Sequence, residues 1–270
     1  MKCCRLCCNK YETLRESHIV SKMFYNAIKK NSITGIMRQA SEPNVGVQDG
    51  LKIPLLCGNC EELFSKYETR FSNEVYTQTI KNNGEIQFDS RQDYISYFLL
   101  SIAWRVIVYT MENGEELTFT DKEKEKINEI IDAWRTILLT ENMNEIRKVQ
   151  QFIIPTKELK FFHNISLRVH DNVMMDFKTF DEKDTFNFAF TIVQIPYFIF
   201  ITTVWGKSDS MKQYQVGKRI KVCSSRLPKN IEETLRQSHY DQFFEADKKL
   251  SDNQRELIEK RVKKKLSQKQ

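Results

Sequence analysis

The chain has 270 residues, of which 40% are hydrophobic and 11% aromatic. That is enough apolar material for a buried core and too much for a disordered chain, and 8 Gly with 5 Pro exclude a collagen-like or linker-rich build. The formal net charge of +6 is unevenly placed: from Lys248 to Lys269 nine Lys/Arg face three acids, so this segment carries the whole excess and the rest sums to zero. A basic end suits polyanions such as DNA, and equally a solvated helix end.

The chain opens MKCCRLCC, without the apolar stretch of a signal peptide. A cytoplasmic, reducing environment is therefore expected, where disulfides do not persist. HIVSKMFYNAIKK follows a helical stripe loosely. Residues 34 to 51 hold Gly35, Pro43, Asn44, Gly46 and Gly50 and read as loops or a short hairpin. LLCGNC then opens a helix in which Leu63, Phe64, Tyr67, Phe71 and Val75 recur at helical spacing. DYISYFLLSIAWRVIVYTM is apolar nearly all round, which predicts the buried centre of the protein. TDKEKEKINEIIDAWRTILL starts with Thr120 and has Glu123 three residues on, a capping box.

From about residue 150 the period changes. FIIP, FFHNISLRVH, VMMDFKTF, FNFAFTIVQIPYFIFITTVW and QVGKRIKVC read as strands separated by polar breaks. Thr185 to Gly206 has no charge over 22 residues, long enough to span a bilayer. Its β-branched and aromatic residues favour strands, and Pro196 would break a helix near the middle. Two buried strands meeting near Gln194–Pro196 are expected, and no membrane span. Beyond Pro228 the chain returns to helix. The expected class is α+β. An N-terminal module over 1–80 precedes an α+β domain over 81–270, helical at 90–145, β-rich at 150–225 and ending in a basic helical tail at 229–270.

Six of the seven cysteines lie at 3, 4, 7, 8, 57 and 60. Cys223 stands apart in an expected strand and reads as a small core residue. Two C-x-x-C pairs can be drawn, Cys4–Cys7 and Cys57–Cys60. Together they supply four thiolates, the tetrahedral set that suits structural Zn²⁺. A redox pair should instead follow a strand in a βαβ pattern, and Cys4 lies too near the terminus for that. The register of the first pair stays open, because Cys3 or Cys8 could replace a neighbour.

His163, His170 and His239 have no partners near them in sequence. His18 differs: it lies eleven residues after Cys7, in LRESHIVSK. C-x-x-C, then a polar-His-Ile string, then L-x-C-x-x-C opening a helix resembles the HNH endonucleases of the treble-clef, zinc-stabilised kind. The resemblance covers residues 1 to 80. It implies a ββα-metal core in which His18 takes a proton from water, the task neutral imidazole performs near pH 7. It further implies a divalent ion, Mg²⁺ or Mn²⁺, at the phosphate. The family commonly has Asp before this histidine and Cys-His at the helix start; this chain has Ser17 and Glu61. Asn44 is the best-placed residue for the family's middle Asn. Glu61 can offer carboxylate oxygen to a hard ion, and Glu68, two turns along the same helix face, can support it. Glu61 and Glu62 would also complement a helix N-terminus without any catalytic role.

The resemblance thus implies a metal-dependent endonuclease acting on DNA, with the tail Lys248–Lys269 adding phosphate affinity. By analogy such a protein would serve phage defence or a mobile element. The other readings are a non-catalytic zinc-stabilised nucleic-acid-binding or regulatory module, and a protein-interaction scaffold.

Overall fold

Two apolar runs shape the fold, one a helix and one a strand hairpin. The computed structural model describes residues 1–32, 34–82, 84, 87–113, 119–156, 173–181, 186–209, 211–217, 219–221, 227 and 229–267. The strand expected at FFHNISLRVH, with His163 and His170, lies outside these residues, as do Cys223 and Lys269.

In chain order the elements begin with β1 (Lys2–Cys3), β2 (Lys10–Tyr11), β3 (Arg15–His18) and α1 (Lys22–Asn31). The short hairpin β4 (Met37–Arg38) and β5 (Gly46–Val47) follows, then β6 (Lys52–Leu56) and α2 (Gly58–Phe71). A π-helical turn at Ser72–Tyr76 carries the chain into α3 (Thr77–Lys81). Next come β7 (Gln87–Asp89), α4 (Asp93–Asn113), α5 (Asp121–Leu139) and α6 (Met143–Ile146). The sheet strands are β8 (Gln151–Pro155), β9 (Met174–Asp181), β10 (Phe186–Ile195) and β11 (Phe198–Trp205). The described chain finishes with β12 (Arg219–Lys221), α7 (Lys229–Lys249) and α8 (Asp252–Ser267). Helix and sheet are mixed, as expected of an α+β chain.

Within the uncharged stretch, residues 186–205 form the β10–β11 hairpin. Its two-residue connection is Pro196–Tyr197, with Tyr197 at φ 73°. The sheet order is β8-β11-β10-β9, all antiparallel. Successive side chains go to opposite faces. Ala189, Val193 and Ile195 join the main core, whereas Phe190 and Ile192 join a second cluster with Phe152, Ile199, Ile231 and Leu235. Both faces are covered, so the run carries no polar alternation. On the second face α7 adds a polar tie: His239 Nε2 lies 2.8 Å from Gln194 Oε1. Burial pushes the His239 imidazole down to about 4, which keeps it neutral.

On the main-core face lies α4, packed against α2, α5 and the sheet. Every residue from Tyr94 to Val108 is buried. Its length and apolarity would also suit a bilayer, but 83% of its most apolar stretch is buried inside the protein. The polar atoms of its aromatics are satisfied by α5: Tyr97 Oη donates to Leu138 O (2.9 Å) and Trp104 Nε1 to Ile131 O (3.1 Å). The capping box that starts α5 forms as its sequence predicts, with Thr120 and Glu123 bonding each other's backbone N–H. Phe98 of α4 stacks on Phe71 of α2 at 4.2 Å between ring centroids. One apolar cluster therefore runs from Cys4 and Leu6 through Phe64, Phe98 and Trp104 to Phe200 and Trp205. It joins the N-terminal 80 residues to the rest.

The C-terminal helix is two helices, not one. The break at Leu250–Ser251 is held by Asn44, whose Nδ2 donates to Lys249 O (2.7 Å) and whose Oδ1 accepts from Ser251 N (2.8 Å).

Candidate metal centre and active site

The first C-x-x-C is a tight turn clamped by backbone bonds, with Cys4 N donating to Asn9 O (3.0 Å) and Cys8 N to Cys4 O (2.9 Å). Cys8 takes the left-handed conformation (φ 60°) that closes the turn. The second C-x-x-C begins where β6 ends: Cys57 caps α2 and Cys60 sits in its first turn. β3 and β6 pair antiparallel, Arg15 opposite Leu56, and Arg5 N bonds Leu55 O, which draws the two turns together.

The sulfurs of Cys4, Cys7, Cys57 and Cys60 all lie within 4.8 Å of one another, and Cys7 and Cys57 are 3.9 Å apart. A tetrahedral ion with Zn–S bonds of 2.3 Å needs edges of about 3.8 Å. The four-sulfur set is compatible with a zinc ion. Cys3 and Cys8 stand outside it, both exposed, with the Cys3 thiol donating to Cys8 O (3.2 Å). The register left open by spacing is thus Cys4 and Cys7.

The thiols are unequal. Burial opposes ionisation of Cys57, but hydrogen bonds from Tyr11, the Cys60 backbone and neighbouring thiols outweigh it and bring it to about 7. Burial pushes Cys4 and Cys60 up. Four thiolates this close together would repel one another unless a cation sat among them. Tyr11 Oη stands 3.8 Å from Cys7 Sγ, where it can donate to a bound thiolate.

His18 ends β3. Its Nε2 is 2.8 Å from Asp49 Oδ1, and its side chain keeps 17% of its surface exposed. Asp49 sits in the loop before β6, with Lys22 Nζ at 3.8 Å and Lys52 Nζ at 3.7 Å. Burial would raise its carboxyl, but the bonds to His18 and the Gly50 N–H, with Lys22 nearby, hold it below the usual carboxylate range. The loop can approach this closely because residue 50 is glycine. A Cβ there would meet the Tyr25 ring at 2.0 Å.

Ser17 precedes His18 and is fully buried. Its Oγ donates to Glu61 Oε2 at 2.6 Å. The two residues that stand where the HNH pattern commonly has Asp and His thus touch each other. Glu62 is exposed.

Arg105, from the middle of α4, lies beneath both. Only 2% of its side chain is exposed. Nη1 donates to His18 O (2.7 Å), Nη2 to Glu68 Oε1 (2.6 Å) and Nε to Ser101 O (3.2 Å). Glu68 is therefore an ion-pair partner of the core arginine. Asn44 is turned to the α7–α8 break, away from the middle-motif role; Asp49 is the side chain that meets His18.

Sequence reasoning missed Asp49 and Arg105. Arg105 did carry a signal, being the one charge between Asp93 and Glu112 in an apolar helix, and a buried charge demands a partner. Asp49-Gly50 just before a strand looks like any turn. No protein-family model matches the chain, and no curated protein or solved structure matches it.

Proposed function

We propose that the chain is an HNH-like, metal-dependent endonuclease that hydrolyses DNA phosphodiester bonds, built on a zinc-stabilised treble-clef module. The observation that carries this reading is His18 at the end of β3, half-buried and bonded to Asp49. With Nε2–H donated to the carboxylate, Nδ1 is left as the basic lone pair. It takes a proton from water as the water oxygen bonds to phosphorus and the bond to the leaving oxygen breaks. Asp49 orients the ring and stabilises the imidazolium that forms, a positioning role. Arg105 fixes the backbone at His18 through its carbonyl.

Glu61 would offer a carboxylate oxygen to an ion such as Mg²⁺ or Mn²⁺ that keeps several waters and takes the rest of its shell from substrate phosphate, with the buried Ser17 hydroxyl orienting that carboxylate. Such an ion would supply charge stabilisation at the phosphate and the leaving oxygen. Zn²⁺ on the four cysteines would have a structural part only. Glu68, paired with Arg105, would position α2 against β3.

Supercoiled plasmid incubated with Mg²⁺ or Mn²⁺ tests the reading. Wild-type chain should nick or linearise it, and His18→Ala should slow cleavage about 10²–10⁴-fold with zinc content intact. Plasmid left whole with either ion, yet retained by the protein in a salt-sensitive way, would sink the nuclease and leave a non-catalytic nucleic-acid-binding module.

A further inference from the structure

A cavity of about 870 Å³ lies between the β4–β5 hairpin and the α7–α8 pair, within the size range of small-molecule sites. Its walls are mostly apolar, with Tyr25, Tyr109, Phe243 and Met175 among them. One wall carries a charge. Arg38 of β4 is half-buried, and its Nε is fully buried with no hydrogen-bond partner. Among the described residues it makes one hydrogen bond, from Nη2 to the neutral Gln254 Oε1 at 3.4 Å. Burial, and the charge of Arg261 on α8, make this guanidinium less comfortable as a cation. Among the described residues no carboxylate pairs with either arginine. The two acids in the cavity wall are already matched: Asp49 by His18, Lys22 and Lys52, Asp247 by Arg255.

An unpaired, half-buried guanidinium is destabilised until an anion arrives. Its planar fork matches phosphate oxygens. The aromatic walls beside it suit a flat ring. We propose that this cavity binds a nucleoside phosphate, the phosphate on Arg38 and the base among Tyr25, Tyr109 and Phe243. The nucleotide would be either free or displaced from a DNA strand. Occupancy does not depend on cleavage by His18.

Binding to the full chain, without added divalent ions, tests this. The probes are the four deoxynucleoside monophosphates and inorganic phosphate by calorimetry, and a short single-stranded oligonucleotide by fluorescence anisotropy. A mononucleotide should bind more tightly than phosphate, and Arg38→Gln should weaken it about tenfold or more. Arg261→Gln, on an exposed helix face, should weaken it less, and Ala246→Trp should fill the cavity and block it. These two variants carry the test if Arg38→Gln fails to fold. Ala246→Trp should still cleave plasmid as wild type does, so loss of this site and loss of cleavage are separable. Mononucleotide binding identifies the free nucleotide as the source. Binding of the oligonucleotide alone, with the same losses in the variants, identifies a strand. The proposal is overturned if neither probe binds at millimolar concentration, if phosphate binds as tightly as the nucleotides, or if the variants bind as wild type does.

Discussion

The four-cysteine cluster and the His18 site share one hairpin and one helix, yet they are held by different means. Each cysteine pair lies within a single turn, and the fold needs only to bring two turns together. His18 depends on residues far along the chain: Asp49 at the far end of an inserted helix and hairpin, and Arg105 in the central helix. The cysteine cluster is thus a local device, whereas His18 is fixed by the core.

Breaking the local device should have the largest effect. Cys57→Ser removes one of four sulfurs and with it much of the about 10–16 kcal/mol that structural zinc supplies to small knuckle folds. Metal analysis should find about one zinc per wild-type chain and little in the variant, with early melting. Cys3→Ser and Cys8→Ser should keep the metal, since both lie outside the cluster. Zinc retained by Cys57→Ser would show that the four sulfurs do not act as one site.

The second effect belongs to the core. Arg105→Met leaves Glu68 facing an apolar helix and frees the backbone at His18. Removing one partner of a buried pair costs about 3–5 kcal/mol, so denaturant midpoints should fall sharply while zinc content persists. A small change would mean that the His18 strand is held by the knuckle after all, and the contrast between the two regions would fail.

How much of this was legible follows the same division. The cysteine pairs, the Thr120–Glu123 capping box, the buried α4 and the β10–β11 hairpin are written in short-range spacing, and the structure has each of them. Asp49 and Arg105 were not legible as partners of His18, because no periodic pattern links positions 31 and 87 residues apart. Glu68 shows the limit from the other side. Helical spacing puts it on the face of Glu61, but α4 brings Arg105 to it, and charge neutralisation in the core decides its role.

Asp49 sharpens the comparison through pH. Its folded pKa is lowered, so its contribution to stability is complete above the ordinary aspartate value of about 3.9 and is lost as pH falls through the lower folded value. Asp49→Asn should cost about 1–3 kcal/mol at neutral pH. Thermal melts should show this gap steady from pH 7 to about 5 and closing in stronger acid. A gap that instead vanished near neutrality would assign the pair's pH dependence to the imidazole.

The smallest effect concerns the insert between β3 and β6. Asn44 is exposed, but it holds both sides of the α7–α8 break through its amide. Asn44→Ala removes two bonds that water can partly replace, a loss of about 1 kcal/mol. Global melting should hardly change, whereas amide exchange at Ser251 and along α8 should quicken. Lys265 Nζ, which bonds Ser32 O at 2.9 Å, ties the same arm to the insert from its other end. If exchange along α8 stays slow in the variant, that second tie is sufficient, and the basic helix is anchored to the insert as firmly as the insert is to the hairpin that carries His18.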